Sequence, residues 1–535
     1  MPYVVTRSCC ADASCVLACP VNCIHPAPGE PGFGTAEMLY VDPRTCVDCG
    51  ACTTACPVDA LKPHTALGAA ELPFLELNAD YYKRHPHDDR TPMYVLPKQR
   101  AVAPGDLSVA VVGAGPAGLF AADELLRHPG KRVTVYDRLP TPYGLARAGV
   151  APDHQDTKQV TELFRTIESQ PGFAYRLGVE VGTTVTHEEL LRTHHAVIYA
   201  VGAATDRRLG IDGEDLPGSV SATDFVAWYN GHPDHADDHY DLATERAVVV
   251  GNGNVALDVA RILTADPDTL ARTDISDRAL AALRTSEVRE VVLLGRRGPA
   301  QAAFTVPELV ALAALEDVDV RVEGWPDDLP PDTDDRTRLL ARLAARTPVE
   351  GRRRIVLRFL TSPVRLTGET SVRALRVAAT ALHTDADGTV RARPTGETRT
   401  LETGLVLRAV GYRARPVPGL PFDEDTATVP HEGGRVGPGV YVAGWIKRGP
   451  TGFIGTNKTC AQETVETLLG DAAAGRLTPP EQGTGAVRTA LGLDAWHAID
   501  RAERAAGEAQ GRPRVKFTDT ASLHGAARTA PALPA

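Results

Sequence analysis

The chain has 535 residues, which is too long for one hydrophobic core and predicts about three or four domains. Its net charge of −11 argues against a nucleic-acid-binding protein, which would favour a basic face. We expect no membrane span, because no run of about 18 consecutive apolar residues occurs, and the N-terminus has no export signal. Nine of the ten cysteines lie in the first 56 residues instead of being spread as bridges, so a cytoplasmic protein is expected.

The cysteines of the N-terminal region indicate two iron–sulfur clusters. The run C-x2-C-x2-C-x3-C-P occupies Cys46–Pro57, and its two-residue gaps can place three thiolates on one cube. The fourth cysteine of such a run ligates the other cluster in two-cluster ferredoxins. We therefore predict a 4Fe–4S cluster on Cys19, Cys46, Cys49 and Cys52, and a second cluster on Cys9, Cys15 and Cys56.

The second site is one ligand short, which favours a 3Fe–4S cluster there. Cys10 can replace Cys9 or supply a fourth thiolate, and the site would then hold a 4Fe–4S cluster. Cys23 fits neither set and is interpreted as a packed free thiol, and Asp12 is interpreted as a loop residue. Disulfides or structural zinc on C-x2-C pairs are the alternatives, but zinc does not account for the third and fourth cysteines or for the prolines behind two of them.

A βαβ unit begins after the cysteine-rich module, which ends near Lys62. Residues 63–106 are predicted to be a linker, because prolines and charged residues recur there without a sustained apolar period. The βαβ unit is predicted to contain a strand, a helix and a second strand, at Leu107–Val112, Ala117–His128 and Arg132–Tyr136.

The turn of this unit predicts a dinucleotide site. Gly113–Gly118 fits G-x-G-x-x-G, whose glycines let backbone N–H groups at a helix N-terminus approach a pyrophosphate. Asp137, at the end of the second strand, would accept hydrogen bonds from a ribose 2′-OH. The unit therefore favours an unphosphorylated adenosine such as that of FAD or NAD.

A second copy of the pattern lies at Ala247–Ala256, followed by a predicted helix Val255–Leu263 and strand Glu290–Leu294. This strand leads to Arg296 and Arg297 in place of an acid. Guanidinium groups suit a phosphate dianion, so this site is predicted to prefer NADP(H) to NAD(H), although adjacent surface arginines are often merely solvated.

The remaining sequence is assigned more coarsely. Asp266–Arg289 suggests an inserted helical segment, and Gly324–Arg354 a surface excursion. The strand Val440–Trp445 and the loop Gly449–Asn457, leading into a helix Cys460–Leu469, are expected to bring backbone donors to a flavin ring. The tail after Gly470 has no functional interpretation. Further strands are predicted near Ile355–Phe359, Val372–Ala378 and Leu405–Val410.

The order of these motifs resembles the adrenodoxin-reductase type of ferredoxin–NADP+ reductase, from roughly Leu107 through Thr518. The first 60 residues resemble a seven-iron bacterial ferredoxin, and the whole resembles actinobacterial reductases with a ferredoxin fused in front. The gap from Cys9 to Cys15 is shorter than the usual seven-iron spacing. The strings that carry the reductase resemblance are Pro140–Leu145, Gly149–His154, Gly251–Arg261, Gly295–Pro299 and Gly444–Gly452.

The resemblance implies an α/β fold with two Rossmann-like domains, for FAD and NADP, and an N-terminal α+β ferredoxin-like iron–sulfur domain at 1–62. The FAD domain would be discontinuous, at 107–205 and 410–535, with the NADP domain at 206–409 between its parts. The residues implied to bind FAD are Gly113, Ala114, Gly115, Asp137, Leu145, Trp445, Gly452, Phe453 and Ile454. Those implied to bind NADP are Gly253, Asn254, Val255, Arg296, Arg297, Glu308 and Gly452.

His154 and Glu308 are expected near the flavin–nicotinamide contact, where they would tune hydride transfer, since that chemistry belongs to the cofactors. The alternative for His154 is a structural histidine whose hydrogen bonds are made with the preceding turn. The predicted activity passes electrons from NADPH through FAD and the fused clusters to an external one-electron acceptor, a haem-thiolate monooxygenase or another ferredoxin. A glutamate-synthase-like small subunit and a redox sensor without turnover are the alternatives.

Overall fold

The computed structural model describes residues 2–92, 105–326, 329–481 and 490–529. Part of the predicted linker, residues 93–104, lies outside these ranges, as do 482–489 and 530–535 of the predicted FAD domain. The described chain forms a small N-terminal module and two larger α/β units, each built on a six-stranded sheet.

The N-terminal module consists of two short antiparallel strand pairs and three helices. Strand β1 pairs with β4, and β2 pairs with β3. Its core includes Val4, Val16, Ile24 and Leu61, each at most 3% exposed. Its elements are β1 Tyr3–Val5, α1 Ser14–Ala18, β2 Ile24–His25, β3 Tyr40–Val41, α2 Ala51–Ala55, β4 Leu61–Pro63 and α3 Pro73–Arg84.

Helix α3 lies inside the segment predicted to be a linker, and it packs on the N-terminal module. Phe74, Leu77 and Tyr82 are buried in this packing. The fourth buried position is Asn78, whose Oδ1 accepts hydrogen bonds from the backbone N–H groups of Val5 (3.2 Å) and Val41 (2.9 Å). Because a polar side chain fills this core position, the helix has no continuous apolar stripe in the sequence.

The first α/β unit has a doubly wound sheet of six strands. Their order is β20 (Arg435–Gly437), β21 (Val440–Val442), β8 (Ala196–Tyr199), β5 (Leu107–Val112), β6 (Lys131–Asp137) and β7 (Phe173–Leu177). All neighbouring strands are parallel except the pair β20–β21. Strands from the far end of the chain thus extend the sheet that the first βαβ unit begins. Before the second unit, its elements are β5 Leu107–Val112, α4 Pro116–Leu126, β6 Lys131–Asp137, α5 Leu145–Ala148, α6 Gln155–Lys158, α7 Val160–Glu168, β7 Phe173–Leu177, α8 His187–Thr193, β8 Ala196–Tyr199 and β9 Thr205–Asp206.

The second unit has an all-parallel sheet in the order β10-β18-β11-β12-β14-β13 and an antiparallel sheet β15-β16-β17 beside it. Its elements are β10 Ser219–Ser221, α9 Ala222–Tyr229, β11 Arg246–Val250, α10 Asn254–Thr264, α11 Pro267–Leu270, α12 Asp277–Arg284, β12 Glu290–Leu294, α13 Val306–Ala313, β13 Val318–Glu323, α14 Asp335–Ala344, β14 Arg353–Arg358, β15 Thr361–Thr367, β16 Ala374–Thr384, β17 Val390–Glu402 and β18 Leu405–Arg408.

The chain then returns to the first unit. The two crossings between the units pair with each other, since β9 and β19 form an antiparallel pair. The returning elements are β19 Tyr412–Arg413, β20 Arg435–Gly437, β21 Val440–Val442, α15 Trp445–Arg448, α16 Thr456–Ala473, α17 Leu493–Glu508 and α18 Thr520–Ala527.

Two regions differ from the expectations of the sequence. The predicted surface excursion Gly324–Arg354 contains α14, whose Leu340 and Leu343 are buried against the second sheet. The uninterpreted tail contains α17, whose Trp496 is fully buried in the core of the first unit beside Tyr143. Both segments are rich in charged and polar residues, which obscures their few buried positions.

The N-terminal module is docked against both units. Leu339 of α14 packs against its core, and Val310 of α13 is buried within it. Ion pairs join Glu37 to Arg336 (2.7 Å) and Asp80 to Arg338 (3.1 Å). On the other side, the backbone N–H of Gly455 donates to the carbonyl of Cys10 at 2.9 Å. The cysteine-rich module is therefore held at the junction of the two units.

Candidate active site and cysteine sets

The first glycine loop forms a narrow cradle between β5 and α4. Gly113 has φ +109°, and a Cβ there would lie 2.5 Å from the carbonyl oxygen of Ala200. Beside it, a Cβ on Gly144 would lie 3.1 Å from the Cα of Gly115. Only residues without side chains fit these two approaches, as a loop that carries a pyrophosphate requires.

Asp137 closes this cradle at the end of β6. Its Oδ2 accepts a hydrogen bond from the N–H of Ala114 (2.8 Å), and its Oδ1 accepts one from the N–H of Leu139 (2.9 Å). Burial raises the pKa of this carboxyl group, and these backbone donors oppose the rise. Each oxygen keeps a second lone pair for a ribose hydroxyl, so the carboxylate both shapes the loop and can bind the ligand.

The other residues predicted for FAD lie at the start of α5, at the start of α15 and in the loop between α15 and α16. Leu145 begins α5 and is 37% exposed. Trp445 begins α15 and donates from Nε1 to the carbonyl of Thr451 at 3.2 Å. Gly452 has φ +79°, and a Cβ there would lie 2.7 Å from Thr456 Oγ1, which accepts the N–H of Phe453 at 3.0 Å. Ile454 packs against the core of the first unit.

The second glycine loop, between β11 and α10, repeats the first. Gly251 has φ +125°, and a Cβ there would lie 2.2 Å from the carbonyl oxygen of Ala409. Gly253 precedes α10 with open space around its Cα, and Val255 lies in the first turn of that helix. Asn254 Oδ1 accepts the N–H of Thr305 at 2.9 Å, which ties the loop to the start of α13.

Arg296 and Arg297 follow β12 at the same edge of the sheet. Their backbone is fixed, because Thr380 Oγ1 donates to the Arg296 carbonyl at 2.7 Å and Leu360 N–H donates to that of Arg297 at 3.2 Å. Across the described ranges, neither guanidinium has an ion-pair partner in the protein. Two unpaired cations beside a dinucleotide loop form a suitable phosphate site.

His154 and Glu308 meet where the two units join. His154 Nε2 lies 3.8 Å from Glu308 Oε2, at the start of α6 and in the first turn of α13 respectively. Two arginines that sequence reasoning missed surround them. Arg261 donates to Asp153 (2.8 Å) and Glu308 (3.3 Å) and contacts His154.

The second arginine, Arg7, comes from the cysteine-rich module. Its Nη2 donates to Glu308 Oε2 at 2.8 Å and contacts His154 Nε2. No motif of the sequence marks this contact, which joins residues about 300 positions apart. Arg261 lies at the end of the string Gly251–Arg261, so that string was the available signal for it.

The charges of this cluster decide which groups are ionised. Burial lowers the pKa of His154 to about 3, and the positive charges of Arg261 and Arg7 add to this effect. Burial raises the pKa of Asp258 to about 6. Burial also opposes ionisation of Glu308, but the positive charges of Arg7 and Arg261 bring its pKa below the usual value. At neutral pH, the imidazole is therefore neutral and the Glu308 carboxylate is charged.

The outer cysteine set lines a single apolar cavity of the N-terminal module. Cys19, Cys46, Cys49 and Cys52 surround it, as predicted for the 4Fe–4S cluster. Cys23 lies beside them, buried, with its Sγ 3.4 Å from that of Cys19. The neighbouring Cys23 thiol lowers the pKa of Cys19 and that of Cys46 to about 6, which favours the thiolates that metal ions bind.

Within the inner set, Cys9 and Cys56 lie on the side of the module that faces the first unit, and Cys15 is buried in the core of the module. Burial raises the pKa of Cys9 to about 11 and that of Cys15 as well, and nearby Asp12 adds to both. Cys9 and Cys56 pack against the core cluster that contains Val109 and Val111 of β5. The structure thus gathers the predicted outer set around one cavity and brings Cys9 and Cys56 of the predicted inner set to the first unit.

Comparison with known proteins shows the family of the chain. The Pyridine nucleotide-disulphide oxidoreductase family profile matches residues 107–292, and the 4Fe-4S binding domain profile matches residues 39–62. A "Probable ferredoxin/ferredoxin--NADP reductase" of Mycobacterium tuberculosis is 51% identical over 100% of this chain and 96% of the relative. The chain belongs to this family of ferredoxin/ferredoxin–NADP reductases.

Two further relatives match the reductase without spanning all of it. The human mitochondrial NADPH:adrenodoxin oxidoreductase is 41% identical over 77% of this chain and 90% of its own. The solved structure of Mycobacterium tuberculosis FprA in complex with NADPH has a TM-score of 0.77 and 46% identity, over 79% of this chain and 100% of that one. The predicted fold class and family of the reductase are confirmed. Among its described residues, no helix is both long and apolar enough to cross a membrane.

Proposed function

We propose that this reductase carries electrons from NADPH to a one-electron acceptor protein through FAD and the cysteine-bound clusters of its own N-terminal module. The observation that carries the proposal is the contact between the inner cysteine loop and the predicted flavin loop, where Gly455 donates to the carbonyl of Cys10 at 2.9 Å. This contact supports a path for electrons from the first unit through the inner cysteine set to the outer set.

The chain's residues bind and orient both dinucleotides. Gly113, Ala114, Gly115 and Asp137 hold FAD, with Leu145, Trp445, Gly452, Phe453 and Ile454 around its ring. Gly253, Asn254 and Val255 hold the NADP pyrophosphate, Arg296 and Arg297 its 2′-phosphate, and Glu308 and Gly452 the nicotinamide end. FAD supplies the step between two-electron hydride transfer and one-electron transfer.

His154 and Glu308 set the electrostatics at the junction of the two dinucleotide sites. The imidazole is neutral, and the charge of the Glu308 carboxylate is compensated by Arg7 and Arg261 where a nicotinamide would approach. We assign both residues a tuning role in hydride transfer, because that reaction requires no proton from the protein.

The outlet for electrons lies at the outer cysteine set. Cys49 is exposed, and Val47 beside it is 59% exposed, whereas Cys9 and Cys56 pack against the core of the first unit. An acceptor protein can therefore approach the outer set while the module stays docked. We propose a haem-thiolate monooxygenase or a separate ferredoxin as that acceptor.

The inner set of three cysteines supports a cluster of the 3Fe–4S or 4Fe–4S type in addition to the 4Fe–4S cluster of the outer set. None of the ten cysteines, which all lie in the described ranges, forms a disulfide, and this supports a reducing, cytoplasmic location.

Steady-state oxidation of NADPH tests the proposed function. We expect reduction of both ferricyanide, which can take electrons from the flavin, and cytochrome c, which we expect to be reduced through the outer set. Cys49→Ser should lower the cytochrome c rate by about tenfold or more and leave most of the ferricyanide rate. Thr54→Ala, at an exposed position nearby, is the matched control and should change neither rate. Equal cytochrome c rates in Cys49→Ser and the wild type would contradict the proposed outlet, and absence of any turnover would favour a sensor.

A further inference from the structure

The two halves of the cysteine-rich module repeat each other with a constant offset. Cys46, Cys52 and Cys56-Pro57 lie 37 residues after Cys9, Cys15 and Cys19-Pro20. The same offset relates Tyr3-Val4 of β1 to Tyr40-Val41 of β3, and helix α1 to helix α2. With this register, the residue that corresponds to Cys49 is Asp12.

The backbone confirms the register around this position. The residues on either side have matching left-handed conformations: φ is +54° at Ala11 and +59° at Asp48, and it is +60° at Ala13 and +73° at Gly50. Such angles are uncommon outside glycine, so four of them at matched positions define one loop shape. Asp12 therefore occupies the same place on its loop as the predicted cluster ligand Cys49.

Backbone donors to sulfur follow the same symmetry. The N–H of Cys23 donates to Cys19 Sγ at 3.3 Å, and the N–H of Ala60 donates to Cys56 Sγ at 3.3 Å. The two cluster loops are thus equivalent down to individual hydrogen bonds. At the ligand positions, the two halves differ because Asp12 supplies a carboxylate where Cys49 supplies a thiolate.

The Asp12 carboxylate is buried and held from one side. Its side chain is 8% exposed, and its Oδ2 lies 3.5 Å from Lys458 Nζ of α16 and accepts a hydrogen bond from Ser14 Oγ. Lys458 also donates to Ser14 at 3.1 Å. Both of these contacts of the carboxylate involve Oδ2, so within the described residues Oδ1 remains available as a ligand atom.

We propose that Asp12 is the fourth ligand of the inner cluster, through its carboxylate oxygen, and that the inner site holds a four-metal cluster on Cys9, Asp12, Cys15 and Cys56. The inference rests on the proposed iron–sulfur role of these cysteines and deepens it. Carboxylate oxygen is an established protein ligand for metal ions, and it is harder than thiolate. The metal at this corner is therefore bound more weakly than the other three, and a 3Fe–4S cluster forms when it leaves.

Cys10 is the competing candidate for the fourth ligand, and the register argues against it. Its counterpart in the second half is Val47, which is not a ligand. Cys10 is 5% exposed and belongs to the core cluster of the first unit, with Val58 and Ala60 beside it. Its position therefore serves the interface between the module and the first unit.

Iron content and EPR spectra of the full chain test the proposal. Wild type, Asp12→Ala, Asp12→Cys and Cys10→Ala are reconstituted anaerobically with excess ferrous iron and sulfide. We expect wild type, Asp12→Cys and Cys10→Ala to lack the narrow, near-isotropic signal of an oxidised 3Fe–4S cluster. Asp12→Ala should show that signal and contain about one iron atom per chain less. Bound FAD per chain, equal in all four proteins, shows that the variants fold.

Three outcomes would overturn the proposal. If the Asp12→Ala variant had the same iron content and EPR spectrum as the wild type, Asp12 would be excluded as a ligand. A 3Fe–4S signal in wild type that persists in excess iron would show that the carboxylate does not complete the site. Loss of iron in Cys10→Ala alone would assign the corner to Cys10. NADPH–ferricyanide turnover of the wild type tests the proposed function separately, because it depends on FAD and not on this corner.

Discussion

The two dinucleotide units share one backbone design and differ in the residues that come after the second strand. In both, a glycine with φ above +100° lies against a carbonyl oxygen of the neighbouring strand region, at Gly113 and Gly251. After the second strand, the first unit has the buried carboxylate of Asp137, and the second has the exposed Arg296 and half-exposed Arg297. We therefore propose that the loop of each unit binds a pyrophosphate and that the charge beyond the second strand selects which adenosine binds.

The glycines of these loops also differ in what excludes a side chain at their position. Gly113 and Gly251 are required by the protein itself, because a Cβ would collide with backbone atoms. Gly253 has open space around it, so only a ligand can require its missing side chain. This difference predicts which substitutions damage the fold and which damage binding alone.

The largest expected effect is that of Gly113→Ala. A Cβ 2.5 Å from the Ala200 carbonyl, at a φ that alanine rarely adopts, should strain the backbone by at least about 1–3 kcal/mol. We expect the purified protein to lose its bound FAD and to melt at a lower temperature. Gly253→Ala is the matched control: it should retain FAD and its melting temperature, and raise the KM for NADPH. Equal FAD content in both variants would contradict the assignment.

A second effect, intermediate in size, concerns selectivity at the second unit. Replacement of both Arg296 and Arg297 by alanine should raise the KM for NADPH by about 100-fold, since each charge-assisted contact contributes roughly 1.5–3 kcal/mol and 1.4 kcal/mol is tenfold. The KM for NADH should hardly change, because NADH has no 2′-phosphate. Arg289→Ala, at the opposite end of β12, should change neither value. An equal rise in the KM values for NADPH and NADH would show that the arginines act on the fold instead.

The smallest expected effect is that of Asp137→Asn. An amide offers one oxygen to the two N–H groups of Ala114 and Leu139, so one donor loses its partner at a cost of about 1–3 kcal/mol. FAD should dissociate about tenfold more readily in an equilibrium flavin-release measurement. Asp106→Asn, in an exposed ion pair with Arg132 at 3.4 Å, is the control and should have no measurable effect. Unchanged FAD affinity in Asp137→Asn would remove this carboxylate from the binding site.

Much of the fold was predictable because buried parallel strands are continuous apolar runs. The strand Glu290–Leu294 was predicted with the bounds that the structure shows, and the helix Asn254–Thr264 was predicted within one residue at each end. The glycine loops and Asp137 were predictable for a different reason, because the local geometry of the chain after each strand requires these residues. Helix α3 was not, because its central buried residue is the polar Asn78.

The candidate active site was predictable only in part. His154 lies in a family string and Glu308 was implied by the family resemblance. The structure brings the two together, but their roles remain predictions. Arg7 was not found, because its contact with Glu308 arises from docking of a separate module and leaves no periodic or local signal. Asp12 was interpreted as a loop residue, since the repeat that aligns it with Cys49 is short and its side chain is not a thiol.

The exposed position of Cys49 has a consequence for how the protein works with its acceptor. A freely diffusing ferredoxin must release its reductase before the same face can meet the next protein, so each electron requires one association and one dissociation. In the proposed mechanism, the module receives and delivers electrons at different faces, while Glu37 and Asp80 keep their ion pairs with Arg336 and Arg338. We therefore propose that the fused module acts as a stationary relay, whose throughput should depend on the encounter with the acceptor alone.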